Sequence, residues 1–187
     1  LFSAVFTKEF IDAIFKQAEM LGNNDFPLVY KQREDYINKV DSVMNYLRVQ
    51  EVTAAYQIVH KDYLPHGHRR IKLDKDLTIE FGILGVLDKA KHIATLFVEE
   101  LGDFINANVD EFFSFTRYAE QLARTASSFD RIDEFLQYET TLIEDEMLYL
   151  LNEKLQQDQY DLVCFTVPFP GNLFSALRCA QFIKQKY

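Results

Sequence analysis

Apolar residues recur at helical spacing along most of this chain, with polar positions between them. Phe10, Ile11, Ile14, Phe15, Ala18 and Leu21 follow the i, i+3, i+4 pattern and predict a helix over 7–21. Thr7 is placed to cap it and Gly22 to stop it. Residues 23–27 read as a loop. Tyr36, Ile37, Val40, Val43, Met44 and Leu47 predict a helix over 33–49, and Val52, Tyr56 and Val59 carry the stripe into a further helix. Pro65 and Gly67 end that run. The polar stretch 66–79 reads as an irregular excursion, or as a short strand near 76–80. The longest stripe, from Leu87 through Ala90, Ala94, Phe97, Val98, Leu101 and Phe104 to Ile105, predicts a helix over 82–106. Ser114 is placed to cap a helix carrying Phe115, Tyr118, Ala119 and Leu122. Ser127 with Asp130 imitates a capping box ahead of Ile132, Phe135 and Leu136. A helix over 139–157 would turn Ile143, Met147, Leu150 and Leu151 inward.

The helical pattern stops at Tyr160. Leu162, Val163, Cys164, Phe165 and Val167 form a continuous apolar run, as strands buried on both faces do. Pro168 cannot continue a ladder because it has no N–H, and Pro170-Gly171 turns the chain. Asn172 is placed to cap a last helix, whose buried face would be Leu173, Ala176, Leu177, Ala180 and Ile183. The expected fold is therefore mainly α. A multi-helical body over 1–157 precedes a short strand–turn–helix (βα) unit over 158–187, which belongs to an incomplete α/β domain. Ligands of open α/β sheets sit at the carboxyl ends of strands, and free N–H groups at a helix start suit an anion. That makes Pro168, Phe169, Pro170, Gly171 and Asn172 the candidate binding loop. The bland alternative is a tight turn that binds nothing.

Composition narrows the function classes. The 187 residues are enough for one domain with a real core, and 17 Phe with 10 Tyr favour a packed globule over disorder. A net charge of −9 argues against nucleic acid as a partner. No apolar run reaches the roughly 20 residues that span a bilayer, and no signal-peptide pattern is present. Two cysteines, Cys164 and Cys179, both in apolar stretches, read as buried thiols of a cytoplasmic protein.

Candidate chemistry elsewhere is thin. His66, His68, Arg69 and Arg70 could form a metal pair or an anion site, but His-x-His supplies two ligands only, and a solvated loop explains the cluster as well. Asp88 and His92 share a helix face, without the paired Glu-x-x-His motifs that a di-iron bundle needs. Glu139, Glu144, Asp145 and Glu146 crowd a helix start, where the dipole favours them without any catalytic role. No nucleophile elbow, phosphate loop or metalloprotease motif occurs. The residues alone assign no catalytic side chain and no metal ligand.

The stretch from Asp161 to Lys184, DLVCFTVPFPGNLFSALRCAQFIK, resembles the third strand and helix of the cobalamin-binding-like N-terminal region of bacterial radical-SAM proteins, the Fe-S oxidoreductases. Those strands have the form D-x-V-x-x-(T/S)-V-P-F-P-G-N-L and lead into a helix ending in I-K. FGILGVLDKAKHIATLFVEEL and FFSFTRYAEQL are similar to a helical insertion before that strand, and LFSAVFTKEFIDAIF to the region after the second strand. The resemblance implies an accessory cofactor- or substrate-docking region of an iron-sulfur oxidoreductase, without catalytic residues of its own. Its partner would be the rest of the parent chain, the radical-SAM barrel. That barrel would hold the 4Fe–4S cluster and S-adenosylmethionine. The family's Cys-x3-Cys-x2-Cys motif is absent here, so no cluster is expected in this stretch. Cobalamin, if retained, would bind without a protein histidine. The chain begins with Leu1 and ends where the next strand would follow, so it reads as a fragment, with a homodimer through the exposed edge as a further expectation. The alternatives are a helical protein–protein interaction domain, and a small-molecule enzyme or hydrolase built on 66–76.

Overall fold

The computed structural model describes residues 5–73, 85–115, 129–168 and 172–187. Among these the chain is helical, and no strand occurs. It divides into two compact units, Phe6–Val109 and Asp110–Tyr187, the second also taking Val5. The boundary expected at 157/158 falls inside the second unit. No helix among the described residues is long and apolar enough to cross a membrane.

The first unit contains α1 (Lys8–Leu21), α2 (Pro27–Lys31), α3 (Arg33–Val49), α4 (Val52–Val59), α5 (His68–Leu73) and α6 (Val86–Asn108). α6 is its axis and packs against α3, α4 and α5, while α1 lies on α3. The sequence pattern places α1 and α3 correctly. The Thr7 hydroxyl accepts from the Phe10 N–H at 3.2 Å, and Gly22 ends α1 at φ 71°, where a side chain would be strained. Tyr36, Ile37, Val40, Val43 and Met44 are buried as expected. On α6, Ala90, Ala94, Phe97, Leu101, Phe104 and Ile105 are buried, whereas Leu87 at the first turn is exposed.

Three expectations are corrected here. Val52 and Tyr56 do not continue the inward stripe: they are 56% and 64% exposed, and α4 buries Ala55 and Ile58 instead. The cause is Gln50, which ends α3 in the left-handed region at φ 53° and resets the phase of the next helix. Residues 68–73 form α5 rather than an irregular excursion; the strand expected at 76–80 lies outside the described residues. The loop at 23–27 gives way at Pro27 to α2, with Pro in the first turn.

Polar side chains staple the loops of this unit. Asn108, on the last turn of α6 and 1% exposed, accepts from the Asp25 N–H at 2.8 Å and donates to the Asp25 and Phe104 carbonyls. Next to it Phe26 sits at φ 60°, its ring edge-on to His68 at 5.7 Å. That strained residue is held by contacts on both sides. Gln32 and His66 exchange side-chain and backbone hydrogen bonds, each 3.1 Å. Glu100, 3% exposed, points its carboxylate at the start of α5. It accepts from the Tyr36 hydroxyl at 2.7 Å and the Arg69 N–H at 2.6 Å. Burial and the nearby Glu100 charge hold the Tyr36 hydroxyl well above the ordinary phenol range.

The second unit contains α7 (Asp130–Gln137), α8 (Leu142–Leu155) and α9 (Leu173–Lys186), and α9 packs on both of the others. α8 begins at Thr141, whose hydroxyl accepts from the Glu144 N–H while the Glu144 carboxylate accepts from the Thr141 N–H at 2.9 Å. This reciprocal pair satisfies two donors that a helix start leaves open. The helix expected after Ser114, and the capping role of Ser127, lie outside the described residues.

Candidate functional site

The C-terminal unit holds the motif that the sequence singled out, and it is built around Arg178. Arg178 is 5% exposed, and its guanidinium binds three elements at once. Nε donates to Glu144 Oε1 on α8 at 3.2 Å. Nη1 donates to the Leu136 carbonyl at 2.8 Å and Nη2 to the Phe135 carbonyl at 3.0 Å, both on the last turn of α7. Nη1 also donates to Gln181 Oε1 on its own helix at 3.1 Å. A cation there completes the open carbonyls of α7 and meets the negative end of its dipole. Burial raises the Glu144 carboxyl above the ordinary carboxylate range, against the opposing pull of the Thr141 N–H and the Arg178 charge.

Beside this ion pair an open groove of about 650 Å³ runs between the α7–α8 turn, α8 and α9. Leu136, Leu148 and Phe182 give it apolar patches; Glu139, Thr140, Asp145 and Lys186 are among its polar lining. Several of these groups are already committed. Thr140 donates to Asp145, Lys186 to Asn152 at 2.6 Å, and Gln181 to the Leu136 carbonyl at 3.2 Å. No buried polar side-chain atom of the groove lacks a hydrogen-bond partner, so Arg178 works as a structural lock and not as an open anion anchor.

The apolar run 162–167 is not a strand. A strand needs a ladder partner, and the backbone of 161–168 makes no backbone hydrogen bond to any described residue. The run lies exposed instead: Leu162 is 78% accessible, with Phe165 and Val167 near 40% (38% and 40%). Pro168 is exposed at its end. Asn172 occupies the N-cap position of α9 at φ −93°, ψ −9°, but its side chain makes no capping bond. Phe169, Pro170 and Gly171 lie outside the described residues. α9 begins at Leu173 as the pattern requires, yet its most buried residues are Phe174, Arg178 and Cys179. The expected face of Leu173, Ala176, Leu177, Ala180 and Ile183 is only half-buried.

The cysteines separate. Cys179 is buried, with its thiol 3.9 Å from the Met147 sulfur, and burial followed by the Glu144 charge pushes it up to about 11. Cys164 is exposed on the run 162–167, which corrects the expectation of a buried thiol. The basic cluster at 66–70 is absorbed into the fold. Arg69 forms a two-bond contact with Asp103, at 2.7 and 3.1 Å, and reaches Glu99 at 2.8 Å. Arg70 is buried and donates to the Leu64 and Lys61 carbonyls. Among the described residues no three His, Cys, Asp or Glu side chains are grouped to hold a metal.

Sequence reading missed Arg178, Glu100 and Asn108. The Thr141-x-x-Glu144 capping signature was there to be read; the long-range partners of Arg178 and Glu100 carry no local signal. Comparison of the chain with protein-family models, curated proteins and solved structures finds no match.

Proposed function

We propose that this chain is a non-catalytic helical docking domain that engages another protein surface through the run Leu162–Val167. One observation carries the reading. An apolar run of strand-forming residues lies exposed, and its backbone is paired with no described residue of an otherwise well-locked helical unit. Exposed apolar runs of this kind are the surfaces that partners cover, and added strands are a recurrent way of covering them. The test is Leu162→Asp with Phe165→Asp. A docking surface tolerates both, with unfolding free energies within about 0.5 kcal/mol of the parent chain. A loss above about 2 kcal/mol would mean that the run belongs to the core of the unit, and the reading fails.

A second reading gives the docking surface an address. The order of apolar run, Pro-containing turn and helix is the one that resembles the cobalamin-binding-like region of radical-SAM Fe-S oxidoreductases. α9 starting at Leu173 supports that reading; the missing strand does not. On it, the run completes a sheet supplied by the parent chain next to the barrel. The 4Fe–4S cluster, S-adenosylmethionine and any cobalamin would then belong to that larger enzyme. Anaerobic reconstitution of this chain with iron and sulfide should leave it colourless. A stoichiometric cluster would sink the reading.

A further inference from the structure

We propose that the run Leu162–Val167 pairs with the same run of a second copy of this chain, antiparallel, about a two-fold axis close to Cys164. The inference rests on the docking reading and names its partner. The first support is charge. The chain carries −9 overall, yet no charged residue lies between Asp161 and Arg178. Two acidic copies can approach here with the least repulsion. The second is backbone capacity. Val163, Phe165, Thr166 and Val167 suit a strand, and neither edge of the run is occupied by a described residue.

The orientation follows from the flanks. A parallel, in-register pair would set two Asp161 carboxylates side by side. The antiparallel pair moves each Asp161 to the far end of the other run, about 20 Å away at roughly 3.3 Å per residue. It is also the arrangement a two-fold dimer makes, with each surface its own complement. Pro168, lacking an N–H, limits the ribbon at its other end. In a ladder centred on Cys164 the two Cys164 Cα atoms stand about 4.5–5.5 Å apart. A disulfide spans about 4.4–6.8 Å, so Cys164 is a built-in reporter of the register. A two-stranded ribbon is marginal by itself, so the dimer should be weak and reversible.

The experiment uses the whole 187-residue chain. Sedimentation across a hundredfold concentration range should show a monomer–dimer equilibrium. Copper–phenanthroline should then join two Cys164 thiols, two copper(II) ions each taking one electron and solvent the two protons. The covalent dimer should vanish in Cys164→Ser and in Phe165→Asp, and persist in Cys179→Ser. A monomer at every concentration, with fast amide exchange over 162–167, overturns the second copy and leaves the docking reading standing. A monomer whose 162–167 amides are protected overturns both, since the chain then covers the run itself. A dimer that survives Phe165→Asp and does not cross-link through Cys164 overturns the pairing and moves the interface elsewhere.

Discussion

Arg178→Met is the sharpest probe of the C-terminal unit. The variant keeps much of the side-chain volume and removes four hydrogen bonds. Two of them complete the end of α7, and one neutralises Glu144, itself 3% exposed. Removing one member of a buried pair leaves the other charge uncompensated, at a cost of about 3–5 kcal/mol. Against a total stability of about 5–15 kcal/mol, that is a large share. The cost should also depend on pH. Glu144 already titrates above the ordinary carboxylate value of 4.5. Without Arg178 it should titrate higher still, because the cation that favoured its ionised form has gone. A group whose folded-state pKa is raised gives its stability below the unfolded value and loses it as pH rises through the folded one. The deficit of Arg178→Met should therefore be largest at neutral pH and shrink towards about pH 4.5. Glu144→Gln in the same chain should recover part of it, with a coupling of about 1–3 kcal/mol. Urea titrations followed by far-UV circular dichroism at several pH values measure all of this. A deficit below about 1 kcal/mol at neutral pH, or one indifferent to pH, refutes the argument.

Three further outcomes follow from the packing. Glu100→Ala should cost about 3–5 kcal/mol, since it strands the Tyr36 hydroxyl and the first N–H groups of α5 and leaves a cavity. Glu100→Gln, keeping one acceptor oxygen, should cost less than half of that in the same denaturation assay. Gly67→Ala would drive its Cβ into the Glu100 carboxylate, so a loss of about 1–3 kcal/mol is expected in thermal unfolding; an unchanged midpoint would contradict that contact. A thiol reagent should modify Cys164 in the native chain and Cys179 only on unfolding. One equivalent released in buffer and two in denaturant is the expected count.

What was legible in the sequence was whatever depends on neighbours along the chain. Tyr36, Val40 and Val43 lie on one helical stripe and end up buried together. Thr7 and Gly22 punctuate α1 because capping needs only three or four residues of context. The phase of α4 was not legible, because Gln50 in the left-handed region gives no pattern until the chain is built. Nor was the fate of 162–167: Leu, Val, Phe and Thr describe a strand, but a ladder needs a second edge, and among the described residues there is none. Arg178 sits in an apolar stripe, and its meaning comes from carbonyls some 42 residues away, at Leu136. Of the candidate loop, Phe169, Pro170 and Gly171 lie outside the described residues, and the Asn172 side chain makes no capping bond.

α5 is six residues long, too short to hold itself together in water, since a helix of that length barely repays its nucleation. Its first N–H groups close on a carboxylate from α6, whose other oxygen holds a tyrosine of α3. The small helix thus exists only while two longer ones are docked. Its amides should exchange at the rate of the whole first unit and not at the rate of local fraying. A single probe at Arg69 would serve as a gauge of whether that unit is assembled.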